Sequence, residues 1–314
     1  MQEYIKGLVS VVIPTYKRSD LLMKAIESVL NQTYRNLELL VVNDNVKGDE
    51  YSLELYKLVE PIKDKRFKLV EQEKHINGAA ARNAGIRVAK GEYIAFQDDD
   101  DYWEPEKIEE QVKLLSSLDS TWGAVACMKR FYNNGVLTSV SYPYRSGNIL
   151  TEILDTRISL GTGAVLIRRE ALDRSGYFDE KLFRNQDLQL FARLASKYKI
   201  KLDKVYLHNR EVKDDQNRPT VEKLNQIKAN YFRSVQDLID SMPKHVQKRI
   251  YALHNFDCAY VCFKQGDFLL GFKKSAGLLT SPSALFIAIK KIYVKIVTSK
   301  CKDYLNKKYS KRRR

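Results

Sequence analysis

Short apolar runs alternate with longer stretches whose apolar residues recur three and four apart. Residues 9–13 (Val-Ser-Val-Val-Ile) form a β-branched run closed by Pro14, the signature of a buried strand. Leu21, Leu22, Ala25, Ile26, Val29 and Leu30 then repeat at helical spacing behind Ser19-Asp20, which the pattern predicts as a polar cap. Strand patterns return at residues 37–42, 66–70 and 93–96, with helical ones at 53–59 and 79–89 between them. Further helices are expected over 106–118 and 187–198, and further strands over 122–127 and 164–167, with a hairpin-type turn at Asn133-Asn134-Gly135. Strands alternating with helices predict an α/β fold, a mostly parallel central sheet with helices on both faces. Beyond a polar linker at 213–219 nearly everything reads helical: 221–242, 245–264, 268–279 and 284 to about 306. The expected division is 1–215 and 216–314, with its boundary near residue 215.

Length agrees with two domains, and 44% hydrophobic with 30% charged residues is enough to build a core. The charge is uneven. Lys+Arg 54 against Asp+Glu 39 gives +15, but the last 34 residues hold eleven Lys/Arg and one acid. A basic tail on a near-neutral body argues against a nucleic-acid-binding globule and leaves an anionic membrane surface as a partner for the tail. Four cysteines in a chain this long do not make a disulfide scaffold. His254, Cys258 and Cys262 fall on one helix face and are read as packing rather than metal ligation. With no secretory signal and no apolar run long enough to span a bilayer, a cytoplasmic protein is expected, peripheral at the membrane's inner face if the tail binds lipid.

In parallel α/β sheets ligands sit at the carboxyl ends of strands. Here those ends carry Pro14-Thr15-Tyr16, Asn43-Asp44 and Asp98 to Asp101. Four adjacent carboxylates repel one another unless a cation offsets them, and Mg²⁺ or Mn²⁺ takes oxygen ligands with substrate phosphates. A solvated acidic turn is the alternative. Asp44 can accept hydrogen bonds from a base or a ribose hydroxyl, or simply form a turn. Arg82, at the start of a helix, can meet a diphosphate or lie at the surface.

Residues 9–16, 25–34, 38–44, 81–85, 91–101 and 176–180 together resemble, in order, the successive signatures of glycosyltransferase family 2. The resemblance implies a GT-A fold, a nucleotide-sugar donor (a UDP-sugar), a divalent metal (Mn²⁺ or Mg²⁺) and inversion at the anomeric carbon. It sets Thr15, Tyr16 and Asp44 about the nucleoside and Arg82 near the uridine and diphosphate. It reads Asp98-x-Asp100 as the metal motif, with Asp100 the ligand and Asp98 or Asp99 at the ribose or a metal-bound water. Asn185-Gln186-Asp187 matches the family's Glu-Asp pair with Gln in place of Glu, which makes Asp187 the catalytic base; alone, that Asp reads as a helix cap. His208, with Arg210 close by, is a candidate for the metal or the departing diphosphate on a mobile loop; a structural histidine is the alternative.

The implied activity is transfer of a sugar to a glycan, lipid-linked or protein-linked acceptor in cell-surface polysaccharide or glycoconjugate synthesis. A nucleotidyltransferase would share the layered sheet and bound metal but would want a glycine in the loop at 14–18. A non-catalytic glycan- or nucleic-acid-binding protein would leave the aspartates without purpose. Leu285, Phe286, Ile289, Ile292, Tyr293 and Ile296 form an apolar stripe near Lys291 and Lys295, suited to an anionic lipid surface, to the catalytic domain or to a second subunit in a homo-oligomer.

Overall fold

The computed structural model describes residues 4–17, 20–212 and 220–310. The expected linker at 213–219, the cap residue Ser19 and the four terminal basic residues lie outside the described residues.

The chain runs β1 (Ile5–Thr15), α1 (Leu22–Leu30), β2 (Leu37–Asn43), α2 (Glu50–Val59), β3 (Phe67–Glu71), α3 (Gly78–Val88), β4 (Gly91–Phe96), β5 (Asp101–Trp103), α4 (Lys107–Ser116), β6 (Trp122–Asn133), β7 (Val136–Val140), α5 (Leu150–Leu154), β8 (Val165–Arg168), α6 (Arg169–Ser175), α7 (Gln186–Lys197) and β9 (Lys199–Glu211). The strands form one sheet in the order β3-β2-β1-β4-β8-β6-β9-β5, with β7 paired to β6. β3, β2, β1 and β4 are parallel neighbours, as are β6 and β9; β8 runs antiparallel to β4 and β6, and β5 antiparallel to β9. The expected α/β sheet is present.

Strand periodicity divides the core. Val9, Val11 and Ile13 of β1 point to one face and pack with Leu22, Ile26 and Val29 of α1 and Ile108 and Leu115 of α4. Val12 points to the other face, with the alanines of α3 and with Leu190 and Leu194 of α7. Each fully buried Val, Leu or Ile contributes ~1.5–3 kcal/mol, so both layers are firmly held. α3 lies close on β1 because residue 85 is glycine: a Cβ there would stand 2.4 Å from Val12 Cγ1. That close approach sets the start of α3 beside the ends of β1 and β4.

Three segments depart from expectation. Leu21, with no side-chain cap bond, holds the cap position of α1. The stretch after Tyr198 forms the 13-residue β9, which sequence periodicity did not mark. The last expected helix is two, α11 (Pro282–Lys300) and α12 (Lys302–Tyr309), following α8 (Val221–Asp240), α9 (Lys244–Lys264) and α10 (Phe268–Ser275). The break at Cys301 lets Leu305 and Tyr309 reach the core patch of Met128, Val140 and Tyr206, where Arg130 Nε donates to Asn306 Oδ1 at 2.6 Å. At the other end of this region, Tyr231, Val235, Ile239 and Ile250 join the same core as α7. His254, Cys258 and Cys262 are buried and all four cysteines are free, consistent with packing. Among the described residues no helix is long and apolar enough to cross a membrane.

Candidate active site

At the carboxyl ends of the parallel strands the polar residues divide into two clusters. The first stands at β1 and β2. Asn43 Oδ1 accepts from the amide and the side chain of Asn45 (3.1 and 3.0 Å), and Asn45 Oδ1 accepts from the Lys17 amide at 2.8 Å. This ties the two strand ends together and fixes Asp44, which is buried. Gln72 donates to Asp44 Oδ1 at 2.7 Å, and His75 Nδ1 lies 3.0 Å from Oδ2. Burial lifts the Asp44 pKa above the ordinary value, and His75 only partly opposes it. The ring of Tyr16 stacks on His75 with centroids 3.8 Å apart and planes 10° apart. Pro14 is half-buried in register with Val42. Thr15, Tyr16 and Asp44 therefore stand together, with Gln72 and His75 as members that sequence reading missed. Neither lies in a periodic element; both come from the segment between β3 and α3.

The second cluster lines an open cavity of about 160 Å³. Arg82, Asp98, Asp101, Lys129, Gly161, Thr162, Gly163, Arg184, Asn185, Gln186, Asp187, His208 and Arg210 surround it. Asn77 caps α3 through the amides of Ala79 and Ala80. One turn on, Arg82 donates to Asp98 Oδ1 at 2.6 Å. Burial opposes ionisation of Asp98, but Arg82 and Arg210 outweigh it and hold its carboxyl below the ordinary range. Asp99 turns away from the cavity and accepts from Thr15 Oγ1 at 2.9 Å. Asp100 is half-buried in the same turn and is not among the lining residues.

His208 is in the middle of β9, opposite Trp103 of β5, rather than on a loop. The long strand seats it under the cavity floor, 2% exposed, and Gly163 leaves it room: a Cβ at 163 would stand 2.7 Å from its ring. Its Nε2 lies 2.9 Å from Asp101 Oδ2. Burial, then Lys107 and Lys129, push the His208 pKa well down, while burial and the neighbouring Asp98 and Asp100 charges push Asp101 well up. The pair is a hydrogen bond and not an ion pair. His208 Nδ1 is buried with no hydrogen-bond partner. Among the described residues no three His, Cys, Asp or Glu side chains converge into a complete metal cage. A hard divalent ion needs only one or two carboxylates when substrate phosphates supply further oxygens, and Asp98, the ionised carboxylate that lines the cavity, fits that part.

Asp187 is in the first turn of α7, behind Asn185 in the left-handed conformation (φ 61°), so it is not the cap. Its Oδ1 accepts from the Leu188 amide at 2.8 Å, and the side chain lines the cavity. Gln186 Nε2 donates to Leu182 O at 2.5 Å. Across the cavity, Lys129 is buried, and burial brings its pKa down to about 8. Its ammonium is held by the carbonyls of Ser159 and Leu160 at 2.8 and 2.9 Å. A lysine inside the apolar run of β6 was a signal that sequence reading left unused.

Solved structures share this architecture. TarS of S. aureus superposes with a TM-score of 0.58 at 16% identity, over 79% of this chain and 70% of that one. The mannosyltransferase PcManGT of Pyrobaculum calidifontis, solved with GDP-Man and Mn²⁺, gives 0.58 at 19% identity over 95% and 84%. At these identities the likeness is one of fold. Among curated proteins, a glycosyltransferase of Rickettsia felis is 36% identical over 195 residues, 61% of this chain and 31% of its own length. The Escherichia coli enzyme WfaP, a UDP-Glc:alpha-D-GlcNAc-diphosphoundecaprenol beta-1,3-glucosyltransferase, is 36% identical over 110 residues, 35% of this chain and 42% of its own. The chain thus spans about a third of the Rickettsia relative and under half of WfaP. The model of Glycosyl transferase family 2 matches residues 10–176, just over half of the chain, which therefore belongs to that family.

Proposed function

We propose that this glycosyltransferase moves a sugar from a UDP-sugar to a hydroxyl of a glycan, lipid-linked or protein-linked acceptor, inverting the anomeric centre, in the synthesis of a cell-surface polysaccharide or glycoconjugate. One observation carries the reading: a single cavity at the sheet's carboxyl edge is lined by Asp98, Arg82, Arg210 and Asp187. WfaP is named for a UDP-Glc donor and a diphosphoundecaprenol-linked acceptor, and TarS was solved with UDP-GlcNAc. Residues 1–215 form the transfer unit, and 216–314 brace it.

In this mechanism Asp44 and Gln72 meet the base, Tyr16 stacks beside it, and Thr15 and Asp99 bound the ribose. Asp187 takes the proton of the acceptor hydroxyl as its oxygen bonds to the anomeric carbon. The bond from that carbon to the diphosphate oxygen breaks, and the nucleoside diphosphate leaves with the electron pair. Arg82 and Arg210 face the charge that develops on it, the kind of preplaced cation that lowers such barriers. Mn²⁺ or Mg²⁺ held by Asp98, Asp100 and His208 would supply Lewis-acid charge to the diphosphate. A positioned general base contributes ~10²–10⁴-fold, since an alcohol is a poor nucleophile.

Family membership favours sugar transfer over nucleotidyl transfer and passive binding. The test is a melting-temperature screen against UDP-Glc, UDP-GlcNAc and GDP-Man with and without Mn²⁺, followed by assay of nucleotide-diphosphate release. A metal-dependent rise with a UDP-sugar and metal-stimulated release are expected. No response to any nucleotide sugar under any metal condition overturns the proposal.

A further inference from the structure

Helix α11 is apolar on two opposite faces. Ala284, Ile287 and Ala288 are buried in a small core with Ala252 and Leu253 of α9. Leu285, Phe286, Ile289, Ile292, Tyr293 and Ile296 are exposed at 39–69%. At 3.6 residues per turn these six occupy an arc of about 120°, directly opposite the packed face. α10, which also packs on α9, adds Phe268, Leu269 and Phe272 at 62–85% exposure, and Leu279 in the connection to α11 stands at 80%. Scattered exposed apolar residues are ordinary, but ten on two consecutive helices and their connection are not.

The rim is cationic. Lys290 borders the stripe and is exposed, as is Lys300 at the end of the helix. Lys295 lies 4.1 Å over the ring of Tyr260. Residues 281–314 carry eleven Lys/Arg against Asp303 alone. The apolar face is a convex ridge along one helix rather than a groove shaped for a particular side chain. Tyr293 and Tyr304, both 65% exposed, add the amphipathic rings that favour a lipid–water boundary. At 19 residues with this many lysines, α11 is suited to lie in that boundary and not to cross it.

We propose that the exposed faces of α10 and α11 dock on an anionic lipid bilayer, with the apolar stripe in the acyl boundary and the lysines against the headgroups. This is independent of which sugar the enzyme transfers. It would hold the cavity near acceptors that are themselves anchored in lipid.

The experiment is flotation of the full chain with vesicles of phosphatidylcholine alone and of equimolar phosphatidylcholine and phosphatidylglycerol. Partitioning onto the anionic vesicles should exceed that onto the neutral ones at least about tenfold at low salt and fall as salt rises. Ile289→Glu combined with Tyr293→Glu changes only exposed side chains, so melting should be unchanged while anionic binding falls about tenfold or more. Three results overturn the proposal. The first is a full-length chain that stays unbound on anionic vesicles at low salt. The second is a double variant that binds as well as the parent, which leaves the tail's charge as the whole cause, as for adventitious RNA binding. The third is a concentration-dependent dimer in light scattering that the double variant dissolves, which assigns the face to a second copy of the chain.

Discussion

Acidification should loosen the packing of the C-terminal helices through His254. This ring is 1% exposed on α9, between Leu154 at the end of α5 and Lys228 on α8. Its Nδ1 lies 2.9 Å from Lys228 Nζ and its Nε2 2.8 Å from Leu154 O. An ammonium can only donate and a carbonyl can only accept, so the ring must be neutral, with its proton on Nε2. Burial first, then the Lys228 charge, brings the His254 pKa down to about 3. Asp257 opposes this, but it is committed to Lys291 at 2.6 Å, whose charge adds to that of Lys228. The folded pKa is therefore below the unfolded value of about 6.5. Above that pH both states are neutral at this site and the neutral packing keeps its full value. As pH falls towards 3, the unfolded chain takes up a proton that the folded one refuses, and stability is lost. Relative to alkaline pH, the loss at about pH 4.5, two units below the unfolded value, is about 2.7 kcal/mol at 1.36 per unit. Urea unfolding of the parent and of His254→Gln, which keeps a donor and an acceptor without titrating, measures it. Carboxylates titrate alike in both proteins, so the difference between the two pH curves belongs to His254. Parallel curves through this window would refute the reasoning.

Asp187→Asn should keep the fold and donor affinity while lowering kcat ~10²–10⁴-fold; near-normal turnover would assign the base elsewhere. Asp100→Ala should remove the Mn²⁺-dependent part of donor binding in calorimetry, and affinity that stays metal-dependent would exclude Asp100 as a ligand. Gly163→Ala places a Cβ 2.7 Å from His208 and should cost roughly 1–3 kcal/mol in urea unfolding while weakening donor binding. A variant unchanged in both would show that the His208–Asp101 pair has slack.

Sequence made the donor side of the fold legible because its information is local. β1, β2 and β4 are largely buried on both faces, so each reads as a nearly continuous apolar run, and each is followed by polar residues at the sheet's carboxyl edge. The other half was less legible. β9 alternates charge and apolar residues, as in Lys199-Ile200-Lys201-Leu202-Asp203, yet its partner strands are more than sixty residues away at β6 and ahead of α4 at β5. β5 has only three residues, and no periodicity shows in three. His208, read as a loop residue, is a strand residue for the same reason. His75, Gln72 and Lys129 acquire their partners from tertiary placement, and no local pattern announces a lysine satisfied by two carbonyls thirty residues on.

The two departures from the family pattern have physical explanations, and they point in different directions. The first is Asn43-Asp44-Asn45, where the resembled family more often has Asp-Asp-Gly, so that Asn45 stands in the place of glycine. Its side chain accepts from the Lys17 amide at 2.8 Å, and Lys17 has φ 51°, a backbone state that glycine adopts freely and lysine does not. The hydrogen bond offsets that strain and ties the end of β1 to the end of β2, next to the proposed nucleoside contacts. Gln186 stands where the family has glutamate. Its amide donates to Leu182 O, which a carboxylate cannot do, so here the side chain ties the approach to α7 in place. That leaves Asp187 as the one carboxylate of the pair. An acceptor hydroxyl that would otherwise be shared between two carboxylates then needs other groups to orient it. Arg184, Asn185 and Thr162, which line the same cavity, are the polar groups in reach. Arg184 and Thr162 lie outside the signatures that resemble the family, so in the proposed mechanism acceptor choice is the property that those motifs encode least.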